Sequence, residues 1–258
     1  MPETLHDTWT MTKRSLRHIV RSLDTLITVV LMPIAFLLLF VFVFGGSIGP
    51  QTGATSYVDF ITPGIVIMTV VSGIAYAAVR LAMDLQKGII NRFRTMPVAP
   101  VSILGGQALS STLSNLVSSV LVILVALGIG FRPHAGVGEW LMFGGLLILF
   151  TLATTWLALF FGLLANTMEG AGAFSYLLLL LIFISSAFVP MKSITPALRG
   201  FAQNQPMTPI VETMRSLLTS GVAGSEVGVA VLWSAAILVI SFALALTIYR
   251  KKTVVVLT

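Results

Sequence analysis

Cysteine is absent from the 258 residues, and charged residues make up only 9% of them. The first absence excludes a disulfide framework, a thiolate nucleophile and any cysteine-ligated metal. The second excludes a water-facing shell all round, since a soluble domain carries roughly 25% charged residues. A phosphate-binding loop is missing too. Such a loop needs G-x-x-x-x-G-K-[ST], whose glycine backbone and lysine cradle the phosphates, and none of Lys13, Lys87, Lys192, Lys251 or Lys252 follows a glycine. The chain does not bind ATP by that route, so an ATP-driven role needs a second polypeptide. Nothing pairs His6, His18 and His134 at metal-ligand spacing, and no Ser/His/Asp set or carboxylate pair lies at a depth suited to chemistry. No catalytic, cofactor or metal site is expected.

What the chain has instead is long apolar runs. Hydrophobic residues are 57% of the sequence, and the mean hydropathy is +1.01. Six runs stand out, near 26–46, 60–81, 103–130, 140–164, 174–190 and 227–249. About 20 apolar residues at 1.5 Å per residue match a hydrocarbon core of about 30 Å. Runs this long without alternation predict helices rather than barrel strands, because in lipid the backbone must satisfy itself. The first run has no small-residue cleavage site and reads as a retained span. The expected class is an all-α integral membrane protein with six transmembrane helices.

The net charge of +6 could suggest nucleic acid, but its distribution follows topology. Eleven cations lie on one side of the runs (Lys13, Arg14, Arg17, Arg21, Arg80, Lys87, Arg92, Arg94, Arg250, Lys251, Lys252) and four on the other (Arg132, Lys192, Arg199, Arg215). The positive-inside rule then places both termini and segment 80–100 in the cytoplasm, and no nucleic-acid partner is needed. Ionisable residues are nearly absent from the middle of the runs. Asp59, Glu139 and Glu226 fall at external mouths, and Arg80, Asp84 and Glu169 at cytoplasmic ends. An ion-coupled carrier would place such groups inside its spans, so the pattern favours energy supplied from outside the membrane.

Residues 1–24 form an amphipathic stretch. On a helix, Leu5, Trp9, Leu16, Ile19, Val20 and Leu23 share about 100° of arc, while Lys13, Arg14, Arg17 and Arg21 gather opposite. Such a helix lies in the headgroup plane of the bilayer. The external connections are short, and Pro196, Pro206 and Pro209 cut the longest one into pieces that read as half-helices folding back against the bilayer. This re-entrant hairpin between spans five and six is expected to plug the outer mouth. The whole of 1–258 reads as one membrane domain.

Segment 84–100 alternates charged residues with Ile89, Ile90, Phe93 and Met96, as a short helix seated in a partner's groove would. Pro97 and Pro100 end it and re-aim the chain into the next span. A basic loop retained by the positive-inside rule has the same composition, so physics alone leaves both readings open. In the third run Ser111, Ser114, Asn115 and Ser118 share a helical face. Small polar residues there serve close helix packing before cargo, but an amide as deep as Asn115 needs a partner. The same caution holds for Thr151, Thr154 and Thr155. The chain has sixteen Phe and eleven Met, a composition that suits an adaptable greasy pathway. Phe174, Phe183 and Phe188, with Asn115, are the candidate cargo-pathway residues.

The stretch LQKGIINRFRTMPVAPVSILGGQALSSTL resembles the cytoplasmic loop of ABC-2 type exporter permeases. SSAFVPMKSITPALRGFAQNQPMTPIVETMRSLL resembles their fifth span and external hairpin. AFVP and QPMTP are especially similar to daunorubicin-type drug-resistance permeases. The resemblance implies a half-transporter that homodimerises in a bacterial inner membrane and receives two copies of an ABC ATPase, which binds the ATP. Its cargo would be hydrophobic or amphipathic: a drug, an antibiotic or a lipid-like molecule. Residues 1–24 would be the elbow helix and 84–100 the coupling helix. Gly88, Asn91, Arg92, Phe93 and Arg94 would contact the ATPase, and Pro97 would close the element. Asn91 stands where many relatives carry an acidic residue, which removes a salt bridge to the ATPase at that point. An ion-coupled carrier, a non-transporting sensor or immunity module, and a lipid or polysaccharide exporter are the alternatives.

Overall fold

The computed structural model describes residues 27–52, 56–86, 100–221, 224 and 226–254, and among these every regular element is helical. The expected elbow helix over 1–24 lies outside the described residues, as do Gly88, Asn91, Arg92, Phe93, Arg94 and Pro97 of the expected coupling helix.

Helix α1 covers residues 27–52 and changes its hydrogen-bonding register along the way. Two π-helical turns, Ile27–Leu31 and Phe40–Phe44, alternate with the α-helical stretches Met32–Leu39 and Gly45–Thr52. Pro33 sits at the first of these junctions, where a missing N–H falls at a change of register. The first apolar run ends near residue 46, yet the chain stays helical through SIGPQT to Thr52, whose hydroxyl donates to the Gly49 carbonyl (2.7 Å). The other long helices are α2 (Tyr57–Gln86), α3 (Pro100–Gly128), α4 (Val137–Leu164) and α8 (Val227–Val254). Between α4 and α8 come α5 (Met168–Phe183), a 3-10 turn at Met191–Ser193, α6 (Pro196–Asn204) and α7 (Met207–Thr219).

Five helices are long and apolar enough to cross a membrane, spanning Val29–Pro50, Tyr57–Gln86, Leu104–Gly128, Val137–Leu164 and Val227–Tyr249. They correspond to five of the six apolar runs. The fifth run contains α5, an apolar helix of 16 residues, or about 24 Å. It starts earlier than hydropathy suggests, because Thr167 caps it by accepting from the Gly170 amide (3.0 Å) and Glu169 complements the helix dipole in the first turn. It stops at Phe183, and turns carry the chain over residues 184–189 to Pro190.

Helix α2 is the hub. It packs against α1, α3, α4, α5 and α7, and Ile61, Ile65, Ile67, Val70, Val71, Ile74 and Leu81 along it are fully buried. Lipid tails are as apolar as leucine, so close approach rather than hydrophobicity holds such helices together. Small residues provide it. A Cβ at Gly64 would stand 2.6 Å from the Ala187 carbonyl oxygen, and one at Gly162 of α4 would stand 2.8 Å from that of Ala78. A Cβ at Gly73 would run into the Asn115 carboxamide. At the Gln86 end, a second apolar cluster of Leu81, Leu104, Trp156, Leu159, Leu163 and Tyr249 gathers the ends of α2, α4 and α8 around the start of α3. Helix α1 is peripheral, with Phe42 71% exposed.

Candidate functional site

The chemistry of this molecule concentrates where α5 breaks. An unwound segment inside an apolar bundle frees carbonyls that water does not reach, and each must find a donor. Side chains from three other helices supply them. Arg215 of α7 donates through Nε to the Phe60 carbonyl (3.0 Å) and through Nη2 to the carbonyls of Ser186 (2.7 Å) and Ala187 (3.4 Å). Its guanidinium also lies 3.8 Å from the Phe60 ring centroid, within cation–π range. Gln205, at the end of α6, donates to the Leu181 carbonyl (2.8 Å). Tyr57, at the start of α2, donates its hydroxyl to the Phe188 carbonyl (3.2 Å). Ser185 works locally, donating to the Ile182 carbonyl and accepting from the Ala187 amide. Burial pulls the Arg215 guanidinium down to about 10, with Glu212 opposing the shift, so it remains cationic at neutral pH.

The same end of the molecule holds two further ties. Asp59 of α2 accepts from the Arg132 amide (3.0 Å), and His134 donates its amide to the Leu218 carbonyl at the end of α7 (2.9 Å). The turn between α3 and α4 is thereby fixed to both α2 and α7. At the opposite end of α2, Gln86 donates to the Asn166 carbonyl between α4 and α5 (3.1 Å).

The candidate pathway residues fall in three places. Phe183 and Phe188 flank the break and stack on one another, centroids 4.9 Å apart, and Phe40 of α1 stacks on Phe188 at the same separation. Phe188 is buried and Phe183 is 46% exposed. Phe174 lies far along α5 and stacks on Phe161 of α4 (4.7 Å). Asn115 is buried against Gly73, and its Nδ2 has no hydrogen-bond partner among the described residues. Thr151 and Thr154 donate to carbonyls of their own helix.

Sequence reasoning counted Arg215 only as an external charge and did not single out Gln205 or Tyr57. Two signals were available. One is a lone cation among Ile210, Val211, Met214, Leu217 and Leu218. The other is Pro190, which closes the Ser-Ser-Ala-Phe-Val-Pro stretch and cannot continue a helix. The break runs into residues 187–190, and the α6–α7 junction lies in residues 205–209, whose Gln205 reaches the Leu181 carbonyl at the end of α5.

The family model for the ABC-2 type transporter matches residues 6–219. The chain belongs to the ABC-2 type transporter family. Among relatives of this ABC-2 protein, a daunorubicin resistance ABC transporter permease protein of Streptomyces coeruleorubidus is 30% identical over 232 residues, covering 88% of this chain and 80% of its own length. A probable doxorubicin resistance ABC transporter permease protein of Mycobacterium tuberculosis is 24% identical, covering 89% and 83%. A putative transport permease of Porphyra purpurea is 25% identical, covering 84% and 76%. For an ABC-2 protein the break after α5 and the clamp on it are the most chemically specific part described.

Proposed function

We propose that this protein is the membrane-spanning subunit of an ATP-driven exporter, carrying hydrophobic or amphipathic cargo of the drug or lipid-like kind out of a bacterial cell. The observation that carries this reading is the ABC-2 family match over residues 6–219, with relatives named as drug-resistance permeases. The absence of a phosphate-binding loop from the sequence fits an enzyme activity that resides in a separate ABC ATPase. In this reading α5 and the turns to Pro190 complete a sixth crossing. Helices α6 and α7 form the re-entrant hairpin plugging the outer mouth, and both termini are cytoplasmic. Two copies pair as a homodimer, and two ATPases dock on the coupling helix through Gly88, Asn91, Arg92, Phe93 and Arg94, with Pro97 closing it. Closure of the ATPases on ATP then moves α2 and its neighbours as a body. Cargo leaves past Asn115, Phe174, Phe183 and Phe188, and the chain itself performs no covalent step.

The test is co-purification with the cognate ATPase. Phe93→Asp and Arg92→Glu are each expected to abolish the complex and ATP-dependent export while leaving the permease folded in the membrane. Complex formation and transport unchanged in both variants would overturn the assignment. So would ion-driven transport by the purified chain alone in liposomes, which would restore the secondary-carrier reading.

A further inference from the structure

A pocket of about 460 Å³ opens between the 3-10 turn at Met191–Ser193, α6, α7 and the approach to α8, lined by Lys192, Arg199, Gln203, Glu212 and Glu226 among others. Its size falls within the range of small-molecule sites. Its charge is unusual: two cations and two carboxylates face one cavity in a chain with so few charges. Lys192 and Glu226 have no side-chain hydrogen bond or ion pair among the described residues. Arg199 is held in place, its Nη2 bonded to the carbonyls of Lys192 and Ile194, while its buried Nε has no partner among the described residues. Lys192 and Glu226 thus offer full charges of opposite sign with no partner among the described residues, whereas Glu212 also interacts with the Arg215 guanidinium.

We infer that this pocket binds a phosphoethanolamine group, a primary ammonium joined to a phosphate, presented by a membrane lipid. Four features select that chemistry. The described lining carries charge of both signs, which suits a zwitterion. A guanidinium, an ammonium and the Gln203 amide offer several donors to the several oxygens of a phosphate. Two carboxylates suit an ammonium that still carries N–H donors. A quaternary ammonium would instead call for an aromatic cage, and among the described residues no aromatic side chain lines the pocket. The lipid source follows from α6. Arg199 and Gln203 face the pocket from one side of this helix, whereas Leu198 and Phe201 lie on the other and are 48% and 52% exposed. A short helix with that division lies at the headgroup level, which brings the pocket to the depth where phosphoethanolamine headgroups are found.

The experiment uses the purified full chain in detergent and titrates six-carbon-chain phosphatidylethanolamine, the matching phosphatidylcholine and phosphatidylglycerol, and free phosphoethanolamine. Binding is read by thermal shift and by change in intrinsic fluorescence. Phosphatidylethanolamine is expected to bind and the other two lipids to bind at least tenfold more weakly. Lys192→Gln and Glu226→Gln are each expected to weaken phosphatidylethanolamine about tenfold; both side chains are exposed, so the fold tolerates the changes. Binding of the lipid without the free headgroup places the source in the bilayer, whereas equal binding of both supports the headgroup chemistry and overturns the lipid source. Equal affinity for all three lipids, or an unchanged affinity in either variant, overturns the proposal. No ATP or transport enters the measurement, so its failure leaves the exporter reading standing.

Discussion

Replacing Arg215 tests whether the break after α5 is held by the clamp or merely decorated by it. Arg215→Met keeps most of the stem volume and removes the guanidinium. Two contacts at 2.7 and 3.0 Å and a longer one at 3.4 Å are lost, together with the approach to Phe60. Hydrogen bonds from a charged donor are worth about 1.5–3 kcal/mol each, so the two short ones alone give about 3–6 kcal/mol. Relief of the buried charge offsets part of this, leaving a net loss of about 3 kcal/mol. The competing estimate treats the contacts as ordinary interhelical bonds at about 0.6 kcal/mol each, which sums to about 2 kcal/mol before the same offset.

The two estimates separate in a melt. At about 2–4 °C per kcal/mol for a domain of this size, Arg215→Met is expected to melt about 6–12 °C below the wild type in detergent. The readout is fluorescence-detected size exclusion after heating. Arg215→Lys keeps the charge but lacks the planar fork, and is expected to recover about half of the loss. A melting point for Arg215→Met within about 2 °C of the wild type would refute the reasoning, because the Ser186 carbonyl would then need no donor.

Two glycine tests follow from the packing around α2. Gly64→Ala drives a Cβ to 2.6 Å from the Ala187 carbonyl oxygen, where backbone has to yield. At Gly172 the new Cβ meets only the Val79 side chain at 3.2 Å. Gly64→Ala is expected to cost about 2 kcal/mol and to lower the melting point by several degrees. Gly172→Ala should be neutral or slightly stabilising, since alanine gains up to about 1 kcal/mol of helix propensity; equal melting points for the two variants would sink the close-packing argument. Gly73→Ala collides with the Asn115 carboxamide and is expected to cost about 1–2 kcal/mol. Asn115→Ala alone should be mild, because its Nδ2 has no partner to lose among the described residues. The double variant should regain the wild-type melting point, and simple additivity of the two losses would count against direct contact.

Hydropathy located the long helices well, because about 20 apolar residues in a row have few other uses. It failed where polarity and helicity part company. Gly49 and Pro50 lie beyond the first apolar run, which ends near residue 46, and look like loop residues, yet they continue α1. Glu169, Gly170 and Gly172 likewise hid the first turns of α5, which Thr167 caps. Ser185 and Ser186 have the opposite character, small and mild enough to pass for span while the helix has already ended. The clamp itself was illegible for a different reason. Arg215 lies 155 positions from Phe60 and Tyr57 lies 131 from Phe188, and no local pattern encodes a pairing at that distance. An amide as deep as Asn115 was expected to need a partner, yet its Nδ2 has none among the described residues, and Gly73 packs directly against the carboxamide.

In the proposed exporter, one element touches both the place where force enters and the place where cargo leaves. Helix α2 has 30 residues, so it is about 45 Å long. It ends at Gln86, directly before the residues expected to meet the ATPase, and Gln86 ties it to the turn that opens α5. At its other end Tyr57, Asp59, Phe60 and Gly64 hold the break, the α3–α4 turn and, through Arg215, α7. A helix packed against five neighbours moves as a rod, because close-packed interiors do not absorb displacement gradually. A shift at Gln86 therefore reaches the hairpin only if the Arg215 clamp is intact. Arg215→Lys, which still folds, is expected to keep the ATPase bound and turning over ATP while export falls severalfold. Normal export in that variant, at a lowered melting point, would make the clamp a structural brace and leave α2 without a role in transmission.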